Sequence, residues 1–439
     1  MPNLTQLRLA AREIFEEALQ AVDAGDAVRR AVSLDGFLLK IRDTAIDISD
    51  RRMFSIAVGK AAFKMAAALE GILDERLAAG VLTGPIPDAT ALRTDWQTFL
   101  GGHPEPNEQS LAAARACFDL LEQANAERAL VIFLISGGGS AMIEYPMSED
   151  ITLADLRAAN RALVNSGAPI AEINAVRRSF SAVKGGRLAA RAPNCDQITL
   201  IVSDVPAGEE RNVASGPTLA PAADAPQAVE VVAHHNLRPQ LPESILRAID
   251  AQVLGLAEHD STLMRKHFVL LDNNSALEAA AHAARQAGFV TEIARDISDQ
   301  SIEAGCPELI SRLEEMRRKV KVPESVCLVS GGEFACPVRG DGIGGRNLET
   351  ALRLACSVNS RDDPPFVALC AGTDGIDGNS PAAGAIVDSS TAKRAASIGL
   401  DPNDFLKRSD AYSFFVAMGD AITTGPTGTN VRDLRILLG

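Results

Sequence analysis

Two positively charged side chains stand at the beginning of predicted helices, where a cation is unfavourable unless an anion lies nearby. Lys60 follows the apolar run at residues 54–58, and Arg346 follows the glycine-rich stretch 340–345. The amino end of a helix carries partial positive charge and free N–H groups, so it attracts anions. We therefore predict that Lys60 and Arg346 bind an external anion such as a phosphate. The alternatives are a structural lysine and an exposed arginine without a role.

The stretch before Arg346 contains a literal G-x-G-x-x-G, formed by Gly340, Gly342 and Gly345. A dinucleotide fingerprint needs a strand that runs directly into its glycines. Here residues 331–338 intervene after the apolar run 325–330. The spacing therefore favours a return loop that leads into a helix, and a dinucleotide fingerprint is the alternative.

A second glycine-rich segment, SGGGS at residues 136–140, follows the apolar run 129–135. Backbone N–H groups in such a turn can form an anion nest, to which serine hydroxyls add donors. We predict a substrate- or phosphate-binding site there. Lys184 and Arg187, in the segment VKGGR, are predicted to add positive charge to it, with a helix C-cap as the alternative. The predicted residues are Ser136, Gly137, Gly138, Gly139, Ser140, Lys184 and Arg187.

Four carboxylates follow predicted strands in loops that also contain glycine or proline. They are Asp204, Glu333, Asp374 and Asp377. Mg²⁺ takes one or two carboxylates together with phosphate oxygens and water, so these positions suit a magnesium site. A pair of tight turns is the alternative for the segment DGIDG that contains the last two.

These residues lie between short apolar runs and longer helical patterns that alternate along the chain. The runs are 54–58, 129–135, 198–203, 266–271, 325–330 and 366–372. Continuous apolar strands separated by helices predict an α/β fold with a parallel sheet. Ligands in such folds bind beyond the carboxyl ends of the strands, which is where the unusual residues fall. A change in composition near residue 235 suggests a Rossmann-like N-terminal domain over 1–235 and a smaller α/β domain over 236–439.

The charge and cysteine content exclude several classes of protein. The formal net charge of -14 and the lack of a Lys/Arg block argue against binding to nucleic acid. No apolar run is long enough to predict a membrane span. The 7 cysteines form no C-x-x-C pair, which favours a reduced, cytoplasmic protein. A homo-oligomer is an open possibility.

Nine segments, in order, resemble the glycerate 2-kinase family of the MOFRL type. They are VGKAA, GGHPEPNEQS, LISGGGSAM, VKGGRLA, SDVPAGEERNVASGPT, VSGGE, GIGGRN, GTDGIDG and GPTGTNVRDL. The resemblance implies transfer of a phosphoryl group from ATP, with Mg²⁺, to the 2-hydroxyl of D-glycerate. It also implies two α/β domains with an active site in the cleft between them. The chain departs from the family pattern at Arg432, where asparagine is expected.

The resemblance implies a set of roles for the residues above. Lys60 and Arg346 are expected to be catalytic charge carriers, with Asp204 orienting or deprotonating the substrate hydroxyl. The segment 136–140 is expected to hold a carboxylate or a phosphate. The glycine-rich loops near Arg346 are expected to contact the nucleotide. The nearby carboxylates are expected to bind Mg²⁺. The nucleotide set is Gly331, Gly332, Gly342, Gly344, Gly345 and Asn347, and the metal set is Glu333, Asp374 and Asp377.

Two other functions remain open from the residues alone. A hydroxypyruvate reductase that uses NADH or NADPH would need the glycines at 340–345 to be a true dinucleotide fingerprint. No histidine pairs obviously with an arginine or carboxylate as its general acid, which counts against it. A non-catalytic module that binds a sugar acid or a nucleotide is the other alternative.

Overall fold

The computed structural model describes residues 2–85, 92, 95–251, 262–321, 323–357 and 365–439. Its strands are β1 (Val32–Asp35), β2 (Leu38–Ile41), β3 (Thr44–Asp47), β4 (Met53–Val58), β5 (Leu77–Thr83), β6 (Trp96–Phe99), β7 (Leu130–Ser136), β8 (Asp196–Val202), β9 (Arg265–Leu271), β10 (Val290–Ala294), β11 (Val326–Gly332), β12 (Val367–Gly372), β13 (Gly384–Asp388), β14 (Ala421–Ile422) and β15 (Asp433–Leu438).

Helices alternate with these strands along most of the described chain. They are α1 (Leu4–Ala21), α2 (Ala24–Ala31), α3 (Ala62–Leu73), α4 (Glu108–Glu127), α5 (Gly139–Met142), α6 (Leu153–Asn165), α7 (Ile170–Phe180), α8 (Arg187–Ala190), α9 (Ala228–His234), α10 (Glu243–Asp250), α11 (Asn273–Gln286), α12 (Ile302–Lys319), α13 (Arg346–Ser357), α14 (Thr391–Ser397), α15 (Pro402–Lys407) and α16 (Ala411–Met418).

The described residues form two compact units. The first unit comprises residues 24–270, and the second comprises residues 2–23 together with residues 271–439. The boundary suggested near residue 235 therefore falls inside the first unit. Residues 237–250 stay with that unit because Leu237, Ile245 and Ile249 share a buried apolar cluster with residues of α6 and α7.

The first unit contains the predicted Rossmann-like sheet. Its strand order is β6-β5-β4-β7-β8-β9, and the four pairings from β6 to β8 are parallel. Numbered from β4, this order is 3-2-1-4-5-6, the doubly wound order of dinucleotide-binding folds. β4 and β7 are buried along their whole length, as their continuous apolar sequences predict. A separate three-stranded antiparallel sheet is formed by β1, β2 and β3.

The topological switch point of this sheet lies between β4 and β7, the first and fourth strands of the order. Chain connections leave these two neighbours in opposite directions, which opens a crevice at their carboxyl ends where ligands bind in such folds. β4 ends at Val58 and β7 ends at Ser136. The fold thus places Lys60 and the segment 136–140 at the same end of two adjacent strands.

The second unit contains a mixed sheet with the order β10-β11-β15-β12-β13-β14. The C-terminal strand β15 lies between β11 and β12 and is antiparallel to both. The smaller α/β domain is confirmed, but its run 366–372 is an antiparallel strand where the sequence suggests a parallel one. Strands covered on both faces have continuous apolar sequences whatever their direction, so the sequence pattern does not report the direction.

Helices cover both faces of this mixed sheet. Alternate residues of β11, β12 and β15 pack with α12 and α13 on one face, and the remaining ones pack with α1 and α11 on the other. Residues 2–23 belong to the second unit because α1 buries Leu7, Ile14 and Phe15 in the latter cluster.

No helix in the described part of the chain is long and apolar enough to cross a membrane.

Substitution of Phe15 tests the assignment of α1 to the second unit. Phe15 is 2% exposed, so Phe15→Ala is expected to lower the free energy of unfolding by about 3–5 kcal/mol. Hydrogen exchange should rise in β12 and β15. Leu9→Ala, on the same helix at a residue that is 55% exposed, is the control and should change little. Faster exchange confined to residues 24–270 would contradict the assignment.

Candidate active site

The segment 136–140, here called the glycine nest, lies at the carboxyl end of β7, where α5 begins. Gly138 has a φ of +78°, a conformation that side-chain-bearing residues adopt rarely. The hydroxyl of Ser136 is buried, donates to the carbonyl of Val58 (3.1 Å) and accepts from the amide of Ala61 (3.0 Å). Ser136 therefore ties the end of β7 to the turn after β4, and its contact with a ligand remains a prediction.

Glycine is required in the centre of the nest because functional side chains approach its backbone closely. A Cβ atom on Gly137 would lie 2.0 Å from Oδ2 of Asp204. A Cβ atom on Gly138 would lie 3.1 Å from Cγ of Lys60 and 3.3 Å from Cδ2 of His103. The amide of Lys60 also donates to the carbonyl of Gly137 (2.9 Å). The side chains of Lys60, His103 and Asp204 thus lie against two glycines of the nest.

The structure brings together Lys60, Asp204 and the nest, three features that the sequence places far apart in the chain. Lys60 and Asp204 are both partly exposed, so an external ligand can reach them. His103 also lies beside the nest, a position that the predicted site residues do not include. The available signal was the dense loop GGHPEPNEQS, in which this histidine is the only imidazole.

Lys184 has a different environment from the predicted phosphate contact. Its side chain is 1% exposed, and its ammonium donates to the carbonyl of Ser140 (2.8 Å) and forms an ion pair with buried Glu144. Burial lowers the pKa of Lys184, although the neighbouring Glu144 carboxylate opposes that shift. The contact with Ser140 indicates that Lys184 supports the nest from inside the core.

Arg187 matches the C-cap alternative. Its guanidinium donates to the carbonyl of Arg178 (2.6 Å), near the carboxyl end of α7, and to the carbonyl of Ser181 (3.3 Å). Cations are favourable at helix carboxyl ends because the last carbonyls lack partners there. This placement favours a structural role over the predicted contact with a phosphate.

The last serine of the nest is held by residues that the sequence did not identify. The hydroxyl of Ser140 donates to that of Ser215 (2.7 Å), which donates to Oδ1 of Asn174 (2.8 Å). Ser215 and its neighbour Ala214 have φ values of +61° and +52°, which are strained for residues other than glycine. Such strain often occurs at functional sites, where the surrounding structure enforces it. Positive φ at alanine and serine leaves no signal in a sequence.

The second unit contains the Arg346 cluster, which comprises Arg346, Asn347, Glu333, Asp377 and Asp433. The guanidinium of Arg346 donates through Nε to Asp433 (2.6 Å), and its Nη2 lies 2.8 Å from Glu333. Burial alone would lower the pKa of Arg346, but the charges of Asp433 and Glu333 outweigh it and raise the pKa. The arginine is at the first position of α13, as predicted, and its charge is balanced inside the protein by carboxylates.

Asp377 caps α13. Its two carboxylate oxygens accept from the amides of Asn347 (3.1 Å) and Leu348 (2.8 Å). Burial raises the pKa of Asp377 to about 7, even though these two N–H groups favour the charged form. A carboxylate that is buried and already accepts at both oxygens has little capacity left to bind Mg²⁺. The structure therefore argues against Asp377 in the predicted metal set and explains it as a helix cap.

The glycines before α13 are explained by packing against the protein itself. Residues 333–339 separate them from β11, so the strand–turn–helix of a dinucleotide fingerprint is absent there, as predicted. A Cβ atom on Gly342 would lie 2.5 Å from Asp410, and one on Gly345 would lie 2.5 Å from Asp377. The amide of Gly344 donates to Asn379 (2.8 Å). A nucleotide contact at Gly342, Gly344 and Gly345 remains a prediction.

The remaining residues of the predicted nucleotide set also have internal partners. The carbonyls of Gly331 and Gly332 accept from the guanidinium of Arg435. The side-chain amide of Asn347 donates to Asp433 (2.8 Å) and Asp377 (3.3 Å), and its buried Oδ1 has no partner among the described residues. An unsatisfied buried acceptor leaves room for a donor from water or a ligand.

Among the described residues, no three side chains of His, Cys, Asp and Glu come close enough together to hold a metal ion. Mg²⁺ does not require such a group, because phosphate oxygens and water complete its coordination. Glu333 is 31% exposed and Asp374 is partly exposed, so both can reach a ligand. Their oxygen chemistry fits Mg²⁺, and their assignment to it remains a proposal.

Arg432 lies where the resemblance leads us to expect asparagine, and its backbone conformation suits that residue type. Its φ is +71°, a left-handed conformation in which asparagine is several-fold enriched among residues with a side chain. The chain tolerates arginine there, with the guanidinium paired to Asp299.

These features define a class: an α/β protein that can bind an anion where its parallel strands end. Comparison with known proteins narrows this class. The model of the domain of unknown function DUF4147 matches residues 10–250, more than half of the chain, and the MOFRL family model matches residues 326–433. The chain is 35% identical over 435 residues to D-glycerate 2-kinase of Thermotoga maritima, with 98% of each chain covered. The chain therefore belongs to the MOFRL-type glycerate 2-kinase family, as its motifs predict.

Two further comparisons bear on fold and function. A crystal structure of glycerate kinase from Thermotoga maritima matches with a TM-score of 0.79 and 32% identity over 99% of both chains. A protein named putative hydroxypyruvate reductase from Agrobacterium vitis is 36% identical over 399 residues, which are 88% of this chain and 87% of that protein. The fold is thus shared with a solved glycerate kinase, and the second name coincides with the alternative function.

Removal of Lys184 tests its role beneath the nest. Lys184→Met leaves Glu144 unpaired in the core and should lower the free energy of unfolding by about 3–5 kcal/mol in urea titrations. Arg161→Met breaks an exposed pair with Glu105 in the same unit and should cost less than about 1 kcal/mol. If the two variants lose similar amounts of unfolding free energy, the ion pair between Lys184 and Glu144 does not stabilise the core as a buried pair.

Proposed function

We propose that this protein is an ATP-dependent kinase that phosphorylates the 2-hydroxyl of D-glycerate to give 2-phosphoglycerate. The observation that carries the proposal is the position of Lys60 and Asp204 around the glycine nest at the topological switch point. Full-length similarity to a D-glycerate 2-kinase supports the choice of substrate. The expected location is the cytoplasm, and the oligomeric state is left open.

Phosphoryl transfer needs positioning and charge neutralisation more than covalent help from the protein. The N–H groups of the nest would hold the carboxylate of glycerate or a phosphate. Asp204 would accept the proton of the 2-hydroxyl of glycerate. As it does so, the oxygen of that hydroxyl would bond to the γ-phosphorus of ATP, and the bond between this phosphorus and the bridging oxygen would break to release ADP. Lys60 and Arg346 would offset the negative charge on the phosphoryl group in transit.

The carboxylates that suit a metal are Glu333 and Asp374. Glu333 forms an ion pair with Arg346 (2.8 Å), and Asp374 accepts a hydrogen bond from the amide of Ile376 (3.2 Å). Mg²⁺ bound with ATP would supply further neutralisation of the β- and γ-phosphate oxygens.

The product of the reaction tests the proposed function directly. The purified chain is incubated with ATP, Mg²⁺ and D-glycerate, and the products are resolved into 2- and 3-phosphoglycerate. We expect 2-phosphoglycerate and an equal amount of ADP. Formation of 3-phosphoglycerate would show that the other hydroxyl is the acceptor. Binding of ATP and glycerate without turnover would instead favour a non-catalytic module.

Replacement of the two cations tests their roles. Lys60→Ala and Arg346→Ala are each expected to lower kcat by about 10²–10³-fold, as for the loss of one preorganised donor. Lys64→Ala, one turn further along the helix that follows Lys60, is a control of the same residue type. The loss in this variant should be much smaller, because Lys64 is one helical turn away from Lys60, the residue that lies beside Gly138. Near-wild-type turnover by a folded Lys60 or Arg346 variant would remove that residue from the mechanism.

The name of the Agrobacterium vitis relative makes hydroxypyruvate reduction the second candidate. The structure counts against a dinucleotide fingerprint at 340–345, because residues 333–339 separate these glycines from β11. An assay of NADH and NADPH consumption with hydroxypyruvate separates the two functions. Oxidation of either cofactor at a rate comparable with ADP release would favour the reductase.

A further inference from the structure

Two carboxylates hold the guanidinium of Arg346, and they differ in burial. Asp433 accepts from Nε at 2.6 Å, and its side chain is 3% exposed. Glu333 lies 2.8 Å from Nη2, and its side chain is 31% exposed. Buried pairs are costly to break, whereas exposed pairs contribute little and exchange with other ions. The Asp433 contact is therefore the fixed one, and the Glu333 contact is the one that an anion can replace.

The carboxylate of Asp433 is itself fixed by its surroundings. Its Oδ1 accepts from the side-chain amide of Asn347 (2.8 Å). In the sheet, Asp433 lies directly opposite Gly332 on β11 and Gly372 on β12. A Cβ atom on Gly372 would lie 3.6 Å from Nδ2 of Asn347, the amide that donates to Asp433. The burial of Asp433 and its bond from Asn347 therefore hold the carboxylate in place beside Arg346.

We propose that Asp433 is the positioning residue for Arg346 in phosphoryl transfer. By binding Nε it fixes the plane of the guanidinium, while the Nη groups can exchange Glu333 for an oxygen of the transferring phosphoryl group. Arginine binds phosphate through two parallel N–H donors, so the orientation of this plane determines whether both donors reach it. The inference rests on the proposed function, since it concerns how Arg346 is presented to a phosphoryl group.

A double-mutant cycle on glycerate phosphorylation tests this assignment. The four proteins are the wild type, Asp433→Asn, Arg346→Ala and the double variant. Asp433→Asn is expected to lower kcat by about 10- to 100-fold, with a smaller change in the KM for glycerate, as for other residues that orient a functional group. In the Arg346→Ala background the same substitution should cost nothing further, because its effect passes through the arginine.

A purely structural role for Asp433 would give a different result. It would lower activity by the same factor in both backgrounds, and such independent losses would overturn the inference. Asp420→Asn is the matched control: Asp420 is 4% exposed, pairs with Arg8 in the same unit and lies outside the Arg346 cluster. Any decrease in kcat that Asp420→Asn causes should be the same factor in the wild-type and Arg346→Ala backgrounds.

Two further outcomes are distinguishable. If Arg346→Ala turns over at the wild-type rate, the proposed role of Arg346 fails, and the inference fails with it. If Arg346→Ala is impaired but the losses multiply, only the inference about Asp433 fails. If thermal unfolding shows that Asp433→Asn does not fold, Asp433→Glu takes its place in the cycle. That variant keeps the charge but moves the carboxylate by one methylene, and wild-type kcat in it would also overturn the assignment.

Discussion

A positive charge at the beginning of a helix, or inside the core, is unfavourable unless an anion lies beside it. In the second unit this requirement is met internally, because Arg346 at the first position of α13 contacts Asp433 and Glu333. In the first unit Lys184 is buried and paired with Glu144. Compensation inside the protein offsets the cost of these charges and holds the two side chains in place.

The same requirement separates two kinds of cation, one in each unit. Lys184 is 1% exposed, and replacement of its partner by a substrate would leave Glu144 buried without a counter-ion. Arg346 is 35% exposed and has one buried and one partly exposed partner, so one of its contacts can change without stranding a buried charge. Burial of the partner, rather than charge alone, therefore distinguishes a supporting cation from one that can act on a ligand.

The sequence predicted the fold well where a pattern has a physical cause that acts locally. Continuous apolar runs predicted β4 and β7, and the structure places Lys60 and Ser136 of the predicted site at the carboxyl ends of these strands. Strand direction in the second unit was not predictable, because β15 pairs with β11 over a long separation in sequence. The roles of Lys184 and Asp377 were missed for a similar reason, since their partners are distant in the chain and only the folded structure shows their burial.

The two glycine-rich loops show how one sequence pattern can have two physical causes. In the glycine nest, Gly137 and Gly138 are needed because Asp204, Lys60 and His103 approach their backbone. Before α13, Gly342 is needed because the protein's own segment around Asp410 approaches it instead. A glycine in these loops therefore indicates that another group lies close to its backbone. The chemistry of that group decides whether the loop forms a ligand site. By this criterion the nest, against which the side chains of Lys60, His103 and Asp204 lie, is the stronger candidate for binding substrate.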